Sequence, residues 1–316
     1  AILMVRRPPR STLVPYTTLF RSKAAVVPLH FGPPSSYAEA PGPVAALFAI
    51  MTKVGAYSLI RVYTMIFPPE LEATAGLYDV WLLPAGLISL ALGMIGVLAA
   101  KKLDRLVAFA VIGSMGMVLI AISLFIPDGI AAALYYIVHS TLVAAALFLI
   151  VDLVKSSRPT LALTPMAPIA GAPLTAGLFF VAAIAMAGLP PLSGFIGKLL
   201  ILDASFDTPL GVWVWAVVLG SSLICVVGFS RAGSTVFWKA NSIAVDDDAE
   251  TGEPPRALAI AAVGGLIALL AAFTAFGGYA HDYMIATSEQ LFAPEPYISI
   301  VVETDGKMSH PTTEDH

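Results

Sequence analysis

The sequence predicts an all-α fold, a polytopic bundle of transmembrane helices, and three observations predict it. Hydrophobic residues make up 58% of the 316 and charged residues only 12%, against about 25% charged in an average globular domain; mean hydropathy is +0.86. Seven apolar runs are each long enough to cross a bilayer as a helix, which takes about 20 residues. The connecting segments also divide by charge into a basic set and an acidic set, as membrane-spanning chains require.

The runs are taken in order. Residues 43–67, 80–100, 104–126 and 129–154 read as four uninterrupted spans. Residues 171–204 form a longer run that contains Gly188-Leu189-Pro190-Pro191, and a helix is expected to break there. Proline lacks the donor and clashes with the preceding turn. In hydrocarbon such a break survives only where protein or a polar cavity satisfies the freed backbone groups. Residues 209–238 and 257–280 complete the set. A β-barrel is not expected, because ten-residue alternating segments do not succeed one another.

This threading puts Lys101, Lys102, Arg105, Lys155, Arg158, Lys239 and Arg256 at ends on one side of the membrane. Glu70, Glu72, Asp79, Asp128, Asp203 and Asp207 fall on the other side, without Lys or Arg. The basic side is therefore expected to be cytoplasmic. Asp246–Asp248 lies on the basic side too, but acids carry little weight in this bias.

Three segments follow. Residues 23–280 are the transmembrane domain, with about seven full helices. Residues 281–316 are a polar tail. Arg6–Ser22, RRPPRSTLVPYTTLFRS, is basic, contains proline and lacks the apolar core of a signal peptide. It is similar to translated sequencing adapter, so residues 1–22 are expected to be non-native and the chain to be a piece of a longer protein.

Lys53, His139 and Lys198 stand inside these apolar spans. A charge at the bilayer centre costs several kcal/mol, so a chain that keeps such groups uses them to move charge. Lys53 lies well inside the first span, and Tyr57 and Arg61 share its helical face at i+4 and i+8. Arg61 is near enough to the helix end to snorkel. His139 is mid-span, with Tyr135 and Tyr136 one turn before it and Ser140 and Thr141 after it. Imidazole titrates near neutrality, which suits a proton relay, although a histidine bonded between helices for packing is the plain alternative. Lys198 follows Pro191 by seven residues, two helical turns that set it on the side of the break, near Ser193 and Gly194. Asp152 reads as a simple helix-end residue, and the single cysteine, Cys225, as a buried core residue.

Other chemistries lack their residues. One cysteine excludes an intramolecular disulfide and a Cys-rich cluster, and His139 has no second ligand at metal spacing. Walker, GxGxxG, HExxH and GxSxG patterns are absent, and so are basic patches interleaved with aromatics, so no nucleic-acid partner is expected. No cofactor is implied.

Five segments carry a family resemblance: KAAVVPLHFGPPSSYAEAP from Lys23, TKVGAYSLIRVY from Thr52, KKLDRLVAFAVIGSMGMVLIAIS from Lys101, YYIVHSTLVAAALFL from Tyr135 and GLPPLSGFIGKLLIL from Gly188. In this order they resemble the proton-conducting antiporter-like subunits of respiratory complex I and of Mrp multisubunit Na+/H+ antiporters. The last segment, with FSRAGSTVFWK at Phe229–Lys239, is most similar to the D-type component of the Mrp antiporters.

The resemblance implies a fold of roughly fourteen helices in two inverted repeats, each with a broken helix. This chain would hold its C-terminal part. Lys23 would be the broken-helix lysine of the first repeat, Lys53 the lysine on the next helix, His139 the histidine on the connecting path and Lys198 the broken-helix lysine of the second repeat. The glutamate that partners the first lysine would lie upstream. One departure is local: the family's HFWLPD reads His30-Phe31-Gly32-Pro33-Pro34-Ser35 here, without the tryptophan and the aspartate, which puts the geometry of that loop in doubt.

The implied activity is that of a proton-translocating subunit of a monovalent cation (Na+)/H+ antiporter. It would be a secondary transporter subunit rather than an enzyme, with other antiporter subunits, H+, Na+ and the lipid bilayer as partners, in a bacterial inner membrane. The alternative is a proton-pumping membrane subunit of a complex I-type oxidoreductase or a membrane-bound hydrogenase. A third class, a non-conducting membrane scaffold, would leave the midspan side chains facing lipid or dryly paired.

Overall fold

A computed structural model describes residues 40–66, 77–169, 171–242 and 257–303. Among the described residues the chain is helical, and the only β-type pairing is an isolated antiparallel bridge between Lys102 and Ala162. The helices are α1 (Gly42–Met65), α2 (Leu83–Ala99, entered through a π-helical stretch Leu77–Leu82), α3 (Leu103–Ser123), α4 (Pro127–Ser156), α5 (Ala172–Ala187), α6 (Ser193–Ala204), α7 (Gly211–Gly233, extended by a π-helical stretch Ser234–Trp238 and a 3-10 turn Lys239–Ser242), α8 (Ala257–Ala275), α9 (Gly277–Phe292) and α10 (Glu295–Glu303).

Among the described residues six helical stretches are long and apolar enough to cross a membrane: α1, α2 with the end of its π-helical entry (Val80–Ala99), α3, α4, α7 with its extension, and α8. The seventh expected span is the pair α5 and α6, two short helices separated at 188–192 where the sequence puts the break. The break closes α5 in a defined way. Gly188 is left-handed at φ 73°, its N–H bonds Ile184 and Ala185, and Leu189 N–H reaches back to the Ile184 carbonyl. This is the Schellman arrangement, which satisfies the carbonyls that a helix end would otherwise expose to hydrocarbon.

α3 lies at the centre, buried nearly all round, as an apolar helix without a polar face must be. α2 packs on it at the closest range. A Cβ on Gly93 would lie 2.4 Å from Gly113 N, and one on Gly116 2.4 Å from Leu90 N. Small residues give membrane helices this approach, since lipid supplies no hydrophobic drive between them. α8 lies at the periphery, with little of its surface buried within the chain.

Polar side chains pin the ends on the basic side. Asp152 of α4 accepts from Gly42 N at 3.4 Å, so this helix-end carboxylate serves one of the orphan N–H groups that open α1. Arg158 is buried rather than solvated, and its Nη2 donates to the carbonyls of Val236 and Ala167. After residue 280, within the segment that reads as a polar tail, α9 continues to Phe292 and α10 to Glu303. Ser288 donates to the Pro127 carbonyl at 2.8 Å, so α9 packs against the start of α4. The Arg61 guanidinium lies 5.2 Å from the ring centre of Tyr297 in α10.

Candidate functional site

The α5–α6 break gathers polar groups from four helices. Lys198 sits on α6 and is buried. A helical side chain leans toward the N-terminus of its own helix, and this one reaches the break. Its Nζ donates to the Ala187 carbonyl at 2.5 Å and to Ser222 Oγ of α7 at 2.7 Å. Ala187 is the last residue of α5, so a carbonyl at the interrupted helix end accepts from the ammonium. Gly188 completes the seat, because a Cβ there would come 2.6 Å from Lys198 Cδ.

His139 of α4 is fully buried, and its Nδ1 lies 2.9 Å from the Oγ of Ser193, the first residue of α6. Ser193 is a junction. Its N–H, one of the orphan donors of a helix start, donates to Thr274 Oγ1 of α8 at 2.9 Å. Gly194 lets α6 approach α4, since a Cβ there would lie 2.1 Å from the Ala185 carbonyl oxygen and 2.8 Å from His139 Nε2. The Tyr135 hydroxyl is buried without a hydrogen-bond partner among the described residues. Tyr136 lies beside the imidazole, with ring centres 5.5 Å apart.

Lys53 of α1 is buried, and its Nζ donates to Ser114 Oγ of α3 at 3.3 Å. The Ser114 hydroxyl spends its own proton on the Val111 carbonyl at 2.7 Å, so a lone pair receives the ammonium. Among the described residues no carboxylate pairs with Lys53 or Lys198.

The sequence-read residues thus divide. Lys53, His139 and Lys198 are all buried. Lys23 lies outside the described residues. Tyr57 does not join Lys53: it is 48% exposed while Lys53 is 3%, because four helical residues overshoot a full turn by about 40°. Ser140 and Thr141 bond the Ile137 carbonyl of their own helix. Cys225 is buried and free. The groups that sequence reading did not single out are Ser114, Ser222 and Thr274, hydroxyls in otherwise apolar helices.

Comparison with known proteins gives consistent findings. Residues 16–225 match the family described as NADH:quinone oxidoreductase/Mrp antiporter, TM. The chain is 34% identical over 308 residues to a probable K(+)/H(+) antiporter D subunit of Rhizobium meliloti (strain 1021), covering 87% of this chain and 55% of that one. It is 32% identical over 292 residues to the Na(+)/H(+) antiporter D subunit of Bacillus subtilis (strain 168), covering 90% and 56%. The fold is similar to a chain of the Mrp complex from Dietzia sp. DQ12-45-1b, with TM-score 0.76, 24% identity and coverage of 90% and 60%. It is also similar to a chain of respiratory complex I from Thermus thermophilus with bound NADH, with TM-score 0.72, 25% identity and coverage of 86% and 57%. The chain spans about half the length of the curated relatives it matches.

Proposed function

Because the chain belongs to the NADH:quinone oxidoreductase/Mrp antiporter transmembrane family, we propose that it forms part of a proton-translocating subunit of a multisubunit monovalent cation/H+ antiporter. Lys53, His139 and Lys198 relay protons across the membrane interior, with Lys23 upstream of them. The protein works as a secondary transporter, assembled with other antiporter subunits in a bacterial inner membrane, and exchanges H+ for Na+ or a similar cation.

The observation that carries this reading is the set of bonds at the break. Lys198 is held there by one carbonyl and one hydroxyl, neutral acceptors that can hold it in either protonation state. A carboxylate would lock the ammonium; a carbonyl and a hydroxyl leave the proton free to be passed on. Ser193 can accept from or donate to His139 Nδ1 as the imidazole tautomer changes. The Tyr135 hydroxyl, buried and unpartnered among the described residues, is the kind of group that ordered water serves inside proteins. A proton on one lysine disfavours a charge on the next group, so the three titrate as a coupled set rather than singly.

A complex I-type role would use the same relay. Fold alone does not choose between them, and the antiporter reading is preferred because the curated relatives at 32% and 34% identity are named as antiporter D subunits. Everted membrane vesicles carrying the assembled complex test it. A transmembrane pH gradient should collapse on addition of Na+ or K+ without any electron donor, and Lys198→Ala should abolish that exchange. Normal exchange in the variant removes Lys198 from the relay, and flux that needs electron transfer removes the antiporter reading.

A further inference from the structure

We propose that the turn joining α2 and α3 carries a binding site for the headgroup of an anionic phospholipid. The site is an open cavity of about 400 Å³ at the basic end of the two helices. Lys101, Lys102 and Arg105 line its polar side, and Gly96, Ala99 and Phe109 its apolar side. It is separate from the relay groups, none of which lines it.

Three features argue for an anion with an acyl tail. First, the carbonyls of the turn itself are already taken. The carbonyl of Ala100 accepts from Arg231 Nη2 at 2.8 Å, that of Lys101 from Leu163 N at 2.9 Å and that of Lys102 from Leu106 N at 3.0 Å. Second, the three cationic side chains are exposed and pair with no carboxylate among the described residues. Asp104, between Lys102 and Arg105 in the sequence, lines a different cavity with Asp152 and Lys155, and its Oδ1 takes the Arg105 backbone N–H. Third, the wall descends into the membrane span. Phe109 is one helical turn below Arg105, and Gly96 opens room for its ring, which a Cβ would meet at 2.2 Å. A cationic rim above an apolar wall at the end of two spans matches the two-part chemistry of a phospholipid.

The test is native mass spectrometry of the membrane complex that carries this chain, extracted in detergent and incubated with vesicles of phosphatidylglycerol or of phosphatidylcholine. The intact complex should retain phosphatidylglycerol and not phosphatidylcholine. The combined variant Lys101→Gln, Lys102→Gln, Arg105→Gln should lower that retention about tenfold or more, while Lys155→Gln, on the other cavity, keeps it. The Lys101→Arg, Lys102→Arg variant should also keep it, which separates lost charge from a fold that has failed. Excess inorganic phosphate should leave the lipid in place. Equal retention by the Gln variant, equal retention of phosphatidylcholine, displacement by phosphate, or loss of a neighbouring subunit from the Gln variant would each overturn the proposal.

Discussion

Gly188 and Lys198 occupy adjoining space: a Cβ on Gly188 would stand 2.6 Å from Lys198 Cδ and 2.9 Å from its Nζ. The same glycine holds φ at 73°, a conformation that costs an ordinary residue roughly 1–2 kcal/mol. Two independent demands therefore fall on one position, and the second belongs to the lysine. Gly188→Ala should impair transport by displacing Lys198 while the complex still assembles. Cation-driven proton exchange in vesicles, normalised to the amount of this chain, reads this. Exchange at the parent level would mean that the seat of Lys198 does not matter.

Ser222 supplies the side-chain acceptor for Lys198. Ser222→Ala removes a hydrogen bond to a charged group, a type worth roughly 1.5–3 kcal/mol, and leaves the Ala187 carbonyl as the remaining partner. The expected result is a partial loss of exchange with an altered pH profile, restored by Ser222→Thr. A merely structural role would lower the amount of folded complex without moving the profile.

The spans were legible because their causes are local. Apolar length sets a crossing, and Gly-Leu-Pro-Pro breaks one wherever it falls. The reach of Lys198 back to the break was legible for the same reason, since the lean of a helical side chain is fixed by its own backbone. Ser114, Ser222 and Thr274 were not legible. Each donates its proton to a carbonyl of its own helix, Val111, Val218 and Leu270 respectively, as countless hydroxyls in membrane helices do. What singles them out is a lone pair that accepts from another helix, and that depends on packing which one sequence does not state. Tyr57 erred in the opposite direction, because sharing a face with Lys53 does not say which edge of that face is covered.

Ser193 joins three helices, through its hydroxyl to His139 on α4 and its N–H to Thr274 on α8. Thr274→Val keeps the side-chain shape but leaves a helix-start N–H without its acceptor, a loss of about 1 kcal/mol by analogy with N-cap substitutions. Thermal unfolding of the detergent-solubilised complex should show a lower midpoint for Thr274→Val, with partial transport. An unchanged midpoint would mean that the Ser193 N–H finds another acceptor.

Gly194→Ala should be far more damaging than Gly220→Ala. At Gly194 the added carbon would lie 2.1 Å from the Ala185 carbonyl oxygen, a backbone atom, so α6 would have to move away from α5 and from His139 of α4; at Gly220 nothing lies within 4 Å. In a helix interior the second change alone favours folding by up to about 1 kcal/mol. Expression of folded complex, followed by size-exclusion chromatography, should collapse for the first and hold for the second. Equal yields would contradict the close seating of α6 against α5 and α4 on which the His139–Ser193 bond depends.

Lys53 separates a relay from a scaffold. Its ammonium has three donors and one described acceptor, Ser114 Oγ at 3.3 Å, in a site where the side chain is 3% exposed. A buried charge so thinly partnered is a burden on stability, and replacing buried ionic groups by apolar ones of similar volume is often neutral or stabilising. Lys53→Met should therefore leave the unfolding midpoint unchanged or raised while abolishing cation-driven proton exchange. The opposite pattern, a clear drop in midpoint with exchange preserved, would make Lys53 a packing element and remove it from the path. Ser114→Ala supplies the second reading, since it takes away the acceptor and keeps the lysine. On the proposed relay, exchange should then fall without being lost, because the lysine remains and only its acceptor is gone.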